Sequence, residues 1–529
     1  MNHRIVRFAI VVVAVLCGWS HAGRFVSITL LHTCDLHGHV RPTHDYEGND
    51  DVGGMARCAA AIREIREKED NVLLVDVGDT VQGTPASLLT GGLMMVRVLN
   101  HLQYDAWVPG NHEFDWGIDK LAACIAAAEM PVLNADLRLP PGGGPHGTIP
   151  EAFQAVRPFT MREVDGVRVA IIGLNTPGIP GWNPPSRLRG LHFADSVAVA
   201  RNAVQRVEEA GADIVILAVH QGFRPWGDDE VNRISALGEQ VPGVDVILGA
   251  HTHRLHDAIL LDDTLYTQAG YHGTALGRVD MQYDRKRDRV SRRSAELIRM
   301  DASIAQDPEV LQLCREDLER ADRTLKRRIG VATERFPTEG APRHETAMHN
   351  LFFDSIRTAL AKRDIPVDAV LHGVLNHEYP LFKGPVFVHK VWQIVPYENT
   401  VVVLKLKGRH LRAILDHNAS RIRSYKFLGI GGLKLVFDPK ADTGSRVLSL
   451  KRPDGTPVGN EDTLTIAMNS YDFAGWRQRA AAMQQALADP HTEVAETGLD
   501  TRTAVTNFIH SRKTISPHTN SWWTERRRQ

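Results

Sequence analysis

Cysteine is scarce: the 529 residues hold five. Beyond the N-terminal segment only Cys34, Cys58, Cys124 and Cys314 remain, with no CxxC pair and no short spacing. A zinc-ribbon framework is thereby excluded and a disulfide scaffold disfavoured, which leaves four buried thiols, or a single bridge. A surplus of one charge is lacking as well. With 62 basic against 63 acidic residues the formal net charge is −1, so the chain carries no electrostatic footprint for nucleic acid or another polyanion. Arg526-Arg527-Arg528 is a local exception that reads as a solvated terminus. Past the N-terminus no stretch approaches the ~20 apolar residues a spanning helix needs, and no stable membrane insertion is expected. Internal repeats are absent.

The N-terminus carries information of its own. Arg4 and Arg7 precede an apolar run over residues 8–17, and Ser20-His21-Ala22 offers the small residues a signal peptidase reads. Residues 1–22 are therefore expected to be a cleaved secretory signal, and the protein to be exported, periplasmic or extracellular. Leu16 stands before Cys17, where a lipid-anchor signal wants a small residue.

The length exceeds what one hydrophobic core usually serves, and two unequal domains are expected. From residue 24 to about 305, β-rich apolar runs at 26–31, 72–75, 167–174, 214–219 and 244–248 alternate with helical patterns such as 55–68 and 196–210, an α/β layout. Residues 307–328 form a charged amphipathic stretch without Gly or Pro after Pro308, so 306–330 is read as a linker helix with that proline in its first turn. The remainder, 331–529, combines a helix at 345–361 with strands at 369–371, 401–406 and 434–437. The run Pro140-Pro141-Gly142-Gly143-Gly144-Pro145 reads as a surface loop.

Polar clusters follow the strand-like runs, where open α/β sheets place their sites. Asp35 and His37 stand two apart after the first run and suit a divalent metal. Asp76 and Asp79 flank Val77-Gly78 after the second, one fit to bridge as an oxygen ligand and the other to orient a neighbour. Asn111 can give a side-chain oxygen, and His112 lies close enough to Asp115 for the carboxylate to orient and charge the imidazole. His220 ends the run 214–219, and His251 and His253 follow the run 244–248. A histidine at a strand end is more often a core residue, but five such clusters sum to a ligand set for two hard or borderline divalent ions.

The segments Asp35-Leu36-His37-Gly38, Gly78-Asp79-Thr80-Val81-Gln82-Gly83, Gly110-Asn111-His112-Glu113-Phe114-Asp115 and His251-Thr252-His253 resemble the signature of calcineurin-like metallophosphatases, and in detail that of their 5'-nucleotidase branch. In the second half, Glu345-Thr346 with Asn350 and Asp354, Pro396-Tyr397-Glu398-Asn399, and Phe427-Leu428-Gly429-Ile430-Gly431-Gly432 are similar to that family's C-terminal domain. The resemblance implies a four-layer α/β sandwich flanked by helices, joined to a smaller α/β substrate-binding domain. It implies that Asp35, His37, Asp79 and His253 hold one metal, and that Asp79 bridges to a second held by Asn111, His220 and His251. The ions are zinc, manganese, iron or cobalt. His112, oriented by Asp115, then stabilises developing charge or protonates the leaving oxygen. The implied reaction is hydrolysis of a small phosphate monoester, a nucleoside 5'-monophosphate first. Alternatives are a cyclic nucleotide, a nucleotide sugar or a sulfur ester on the same metals, or a secreted binding protein that keeps the fold without turnover.

The chain departs from the family in its second half. Where relatives show NGGGIR it reads His372-Gly373-Val374-Leu375-Asn376-His377, placing His377 where a phosphate-gripping Arg is usual; Lys362 or Arg363 is then the candidate cation. The family's GGDGF is represented by Asp472-Phe473-Ala474-Gly475-Trp476, so Phe427 with Phe473 or Trp476 is expected to sandwich a base. Cys34 replaces the usual Asn beside Asp35, and its thiol is expected to point away from the metals.

Overall fold

The computed structural model describes residues 23–140 and 147–526, so the signal at 1–22 and most of the loop at 140–145 lie outside the described residues. The first half is built on two sheets. One has five strands, in the order Arg289–Arg299, Ala275–Asp284, Phe25–Thr33, Val72–Asp76 and Ala106–Trp107. The other has six, in the order Leu255–Leu261, Thr264–Ala269, Val246–Gly249, Ile214–Val219, Val167–Leu174 and Phe159–Val164. The runs that read as strands lie inside these sheets and pair in parallel: Phe25–Thr33 with Val72–Asp76, and Ile214–Val219 with both Val167–Leu174 and Val246–Gly249.

Those runs are nearly continuous in apolar residues because both of their faces are covered. Along Val167–Leu174, Val169 and Ile171 join Ile28, Leu30, Val75, Ile216 and Leu248 in the core between the sheets. Their neighbours Ala170 and Ile172 point the other way, to a core shared with Val197, Ala200 and Val204 of the helix Ser196–Glu209. On the outer face of the five-stranded sheet, Leu31, Leu74 and Trp107 pack under the helices Met55–Lys68, Leu93–His101 and Ile118–Ala127. Helix, sheet, sheet, helix is the four-layer α/β sandwich that the resemblance implied.

The stretch read as a linker is the helix Pro308–Leu325. Asp307 caps it by accepting from the N–H groups of Glu309 and Val310, and Pro308 occupies its first position. Val310, Cys314, Leu318 and Ala321 form its buried stripe and belong to the core of the first half. The helix is thus a packed part of the outer helical layer rather than a free spacer.

The second half is a smaller α/β unit. Its main sheet runs Gly429–Gly431, Ala369–His372, Thr463–Asn469, Thr400–Lys407 and Glu493–Asp500. Phe353, Leu371, Val402, Leu404, Leu415 and Ile466 make its core with the helices Ala347–Ala361 and Gly408–Ala419. Among the described residues all four cysteines are free and buried, so no bridge links them. No helix among the described residues is long and apolar enough to cross a membrane.

Candidate dinuclear metal centre

Both sheets deliver polar residues to one edge of the sandwich. Asp35, Asp79 and Asn111 follow strands of the five-stranded sheet; His220, His251 and His253 follow strands of the six-stranded one. Pairing continues beyond the strand ends: the N–H groups of Asp35 and His37 donate to the carbonyls of Gly78 and Asp79, both at 2.8 Å. Asp35, His37, Asp79, His251 and His253 all take left-handed backbone, with φ between 48° and 70°. Such residues are costly by about 1–2 kcal/mol each and gather where a site overrides local preference. Gly78 lets the turns meet, since a Cβ there would lie 2.5 Å from the Gly110 nitrogen.

The side chains converge in two groups, Asp35–His37–His253 and Asp79–His220–His251. His37 Nε2 lies 3.0 Å from His253 Nε2 and 3.9 Å from Asp79 Oδ2, and His253 Nε2 lies 3.5 Å from Asp35 Oδ1. His220 Nε2 lies 3.2 Å from Asp79 Oδ2 and 3.1 Å from Asn111 Oδ1, which is also 2.8 Å from His251 Nδ1. Asp79 therefore faces both groups.

Ring tautomers test whether a cation fits. His37 Nδ1 lies 3.0 Å from the Gln82 carbonyl and His220 Nδ1 2.7 Å from that of Val77. A carbonyl only accepts, so each Nδ1 carries hydrogen and a neutral ring keeps its Nε2 lone pair for the interior. Burial pushes His37 down to about 4 and His251 to about 3, so both rings are neutral near pH 7; at His220 burial is outweighed by Asp79 and Asp35, which raise it to about 9, a proton standing there where a cation would. Carboxylate oxygens, an amide oxygen and bare imidazole nitrogens thus point at one another with few hydrogens between them. That donor set fits two divalent ions, and the lack of a thiol fits harder ones: Cys34 turns away, its Sγ 3.4 Å from the Gly270 carbonyl.

His112 stands beside these groups. Its N–H donates to Asp79 Oδ1 at 2.8 Å, and its Nδ1 lies 2.7 Å from Asp115 Oδ2. Burial works against its charge, but Asp115 and Asp79 raise the imidazole to about 10. For Asp79 burial is likewise outweighed, and the neighbouring His220 and His112 hold it well below the carboxylate range. The His112 Nε2 lies 4.0 Å from Asp79 Oδ2 and the His112 side chain is 36% exposed, so the ring is within reach of a bound ligand.

The second half delivers its expected residues differently. Phe427, Phe473 and Trp476 are 4%, 3% and 3% exposed and belong to the core of that half. Phe427 stacks near Phe437 and meets Trp523 edge-on, while Trp476 packs against His417 and under Arg421. Phe427 and Trp476 meet core neighbours and Phe473 is buried in the same core, so in this structure the three do not form the expected base sandwich. Arg363 donates to the Thr497 carbonyl at 2.9 Å and lines, with Lys362, a surface groove of about 470 Å³ whose walls all come from the second half. His377 sits in a loop, where its carbonyl accepts from the Thr338 hydroxyl. Neither residue is brought to the metal-ligating groups.

What the second half does bring there is Glu398. This buried carboxylate accepts from Gln82 Nε2 at 3.2 Å and from Trp116 Nε1, and Arg502 of its own half lies 3.4 Å away. Gln82 also touches His37, and Trp116 follows Asp115, so the two halves meet against the site. Trp182 stacks on His251 with 5.3 Å between centroids, and its short helix Ile179–Trp182 packs on Ser470–Arg479 of the second half. Tyr46, Tyr397 and Tyr471 are 66%, 55% and 54% exposed, and each is within electrostatic reach of another of the three. Tyr46, Trp182, Glu113 and Glu398 are the contributors that sequence reasoning missed. Only Glu113 and Glu398 left a signal, each lying inside a quoted motif with no role attached.

Residues 28–255 match the calcineurin-like phosphoesterase family, and residues 328–485 the C-terminal domain of 5'-nucleotidases. A snake venom 5'-nucleotidase of Crotalus adamanteus is 28% identical over 505 residues, covering 86% of this chain and 82% of that one. Among solved structures, a 5'-nucleotidase precursor of Thermus thermophilus superposes with a TM-score of 0.68 at 24% identity, over 94% of this chain and 99% of that one. A sulfate thiohydrolase of Thermus thermophilus shares the fold with a TM-score of 0.60 at 19% identity, over 95% and 97% of the two chains.

Proposed function

The chain belongs to the 5'-nucleotidase family of calcineurin-like phosphoesterases, a metal-dependent phosphoric ester hydrolase, and from that premise we propose that it is an exported enzyme cleaving nucleoside 5'-monophosphates. Asp35, His37, Asp79 and His253 would hold one divalent ion; Asp79, Asn111, His220 and His251 would hold the other. When bound, such a pair activates water and neutralises phosphoryl oxygens during in-line displacement. The chain's own part is His112: Asp115 fixes its Nδ1–H, so Nε2 is left to bring a proton to the leaving ester oxygen or to steady its charge. Residues 24–305 form the metal-bearing domain, 306–330 the connecting helix and 331–529 the domain that selects substrate.

The observation that carries this reading is the His112–Asp115 pair, bonded at 2.7 Å and tied through the His112 N–H to the one carboxylate that faces both ligand groups. A protein kept only for binding has no need of that alignment. A second reading, a nucleotide sugar or sulfur ester as substrate, is favoured by one fact: the expected base-stacking aromatics are buried, leaving tyrosines exposed near the site.

The test is phosphate release by the signal-less protein, with manganese or zinc added, from nucleoside 5'-monophosphates, cyclic nucleotides, nucleotide sugars and a simple aryl phosphate. A strong preference for the monophosphates is expected. Release from the aryl ester alone would assign the second domain to another substrate, and no release from any would leave a binding protein.

A further inference from the structure

Tyr46 lies in the loop between Asp35-Leu36-His37-Gly38 and the helix Met55–Lys68, and no motif marks it. The loop is nevertheless pinned. Asp45 accepts from the N–H groups of Glu47 and Asn49 and from the Asn49 side chain, and Thr43 bridges to Val52. The Tyr46 ring stacks on Tyr271 with 4.1 Å between centroids and 11° between planes, and its N–H donates to the Tyr271 hydroxyl at 2.8 Å. So held, a side chain 66% exposed still sets its hydroxyl 2.8 Å from His253 Nδ1.

Tautomer logic gives that contact a direction. His253 Nε2 is the atom facing His37 and Asp35, so it is the one that offers a lone pair to a cation. A neutral ring then carries its hydrogen on Nδ1, and the Tyr46 oxygen accepts it. Having accepted there, the hydroxyl keeps its own hydrogen for another partner. The side chain is 66% exposed beside the metal-ligating groups, and Tyr397 of the second half lies within its electrostatic reach.

We propose that Tyr46 does two things: it positions His253 as a metal ligand by accepting from Nδ1, and it donates its own O–H to a non-reacting oxygen of the bound phosphoryl group. The first acts through His253 and the second touches the substrate. Both rest on the metal-centre reading above.

The experiment compares the parent with Tyr46→Phe, which keeps the stack on Tyr271 and deletes only the hydroxyl, and with His253→Ala. Metal-stripped proteins are titrated with Zn²⁺ or Mn²⁺ alone by calorimetry; the metal-saturated forms are assayed for kcat, KM and inhibition by inorganic phosphate. For Tyr46→Phe, affinity for one of two ions is expected to fall about 10–100-fold, the loss usual when the partner of a ligating histidine is removed, with the other ion unaffected. At saturating metal, KM and the phosphate inhibition constant are expected to rise about 5–10-fold, the loss of one hydrogen bond to an anion, with kcat within about 2-fold. If Tyr46→Phe binds both ions as the parent does, positioning is refuted; if phosphate inhibits it equally, the donor role is refuted. Should His253→Ala keep two ions, the metal-centre reading fails first, which separates its failure from that of Tyr46.

Discussion

Replacing His112 by alanine is expected to lower kcat about 10²–10⁴-fold, the usual contribution of a positioned general acid, with two ions still bound per chain. Metal retention follows from the geometry. The bond to Asp79 comes from the His112 backbone N–H, which alanine keeps, so the carboxylate facing both ligand groups stays in place. What disappears is the imidazole, held by Asp115 at 2.7 Å and raised by Asp115 and Asp79, against burial, to about 10. Asp115, which is not among the ligating groups, is what favours the charged ring and directs its Nδ1–H, leaving Nε2 to serve a leaving ester oxygen. The measurement is kcat with metal content determined on the same sample. Loss of an ion together with activity would make His112 a ligand instead, and a loss under about 10-fold would remove it from the chemistry.

Much of the frame could be read from residues alone, for one physical reason: strands covered on both faces are apolar without interruption. Val167–Leu174 and Ile214–Val219 match the sequence reading residue for residue: the second is buried at every position and the first at all but Arg168. The same logic exposed the ligands, since a polar cluster ending an apolar run has few structural explanations. It failed where the determinant is a contact between distant segments. Tyr46 and His253 are 207 positions apart, and nothing in the loop's composition states that they meet. The left-handed backbone at Asp35, His37, Asp79, His251 and His253 is likewise imposed by the turns around the site rather than by those residue types. Phe427, Phe473 and Trp476 show the opposite error. An aromatic has the same spacing whether its face is offered to a ligand or taken by Phe437 and Trp523, and only packing decides.

Glu113 carries the other large effect. Its two oxygens accept four backbone N–H groups: Oε1 takes Thr80 at 2.8 Å and Val81 at 2.9 Å, while Oε2 takes Asp79 at 2.9 Å and Gly110. One carboxylate thus sews the turn bearing Asp79 to the turn bearing Asn111 and His112. Burial raises its pKa, and what holds the charge is that all four partners are donors, so a proton there would find no acceptor. Glu113→Gln is nearly isosteric but turns an NH₂ toward two N–H groups. Two charge-assisted bonds are lost and two buried donors left unpaired, a cost of about 3–6 kcal/mol. Denaturant unfolding is expected to show that drop, with the metal-stripped protein compared to exclude a difference in ion binding. The variant that still folds is expected to bind its ions more weakly, because Asp79 then loses the bond from its own N–H and keeps only those to the His37 and His112 N–H groups. A loss under about 1 kcal/mol with metal affinity unchanged would mean the turns are fixed by their own mutual hydrogen bonds, from Asp35 to Gly78 and from His37 to Asp79, and that Glu113 merely fills the space between them.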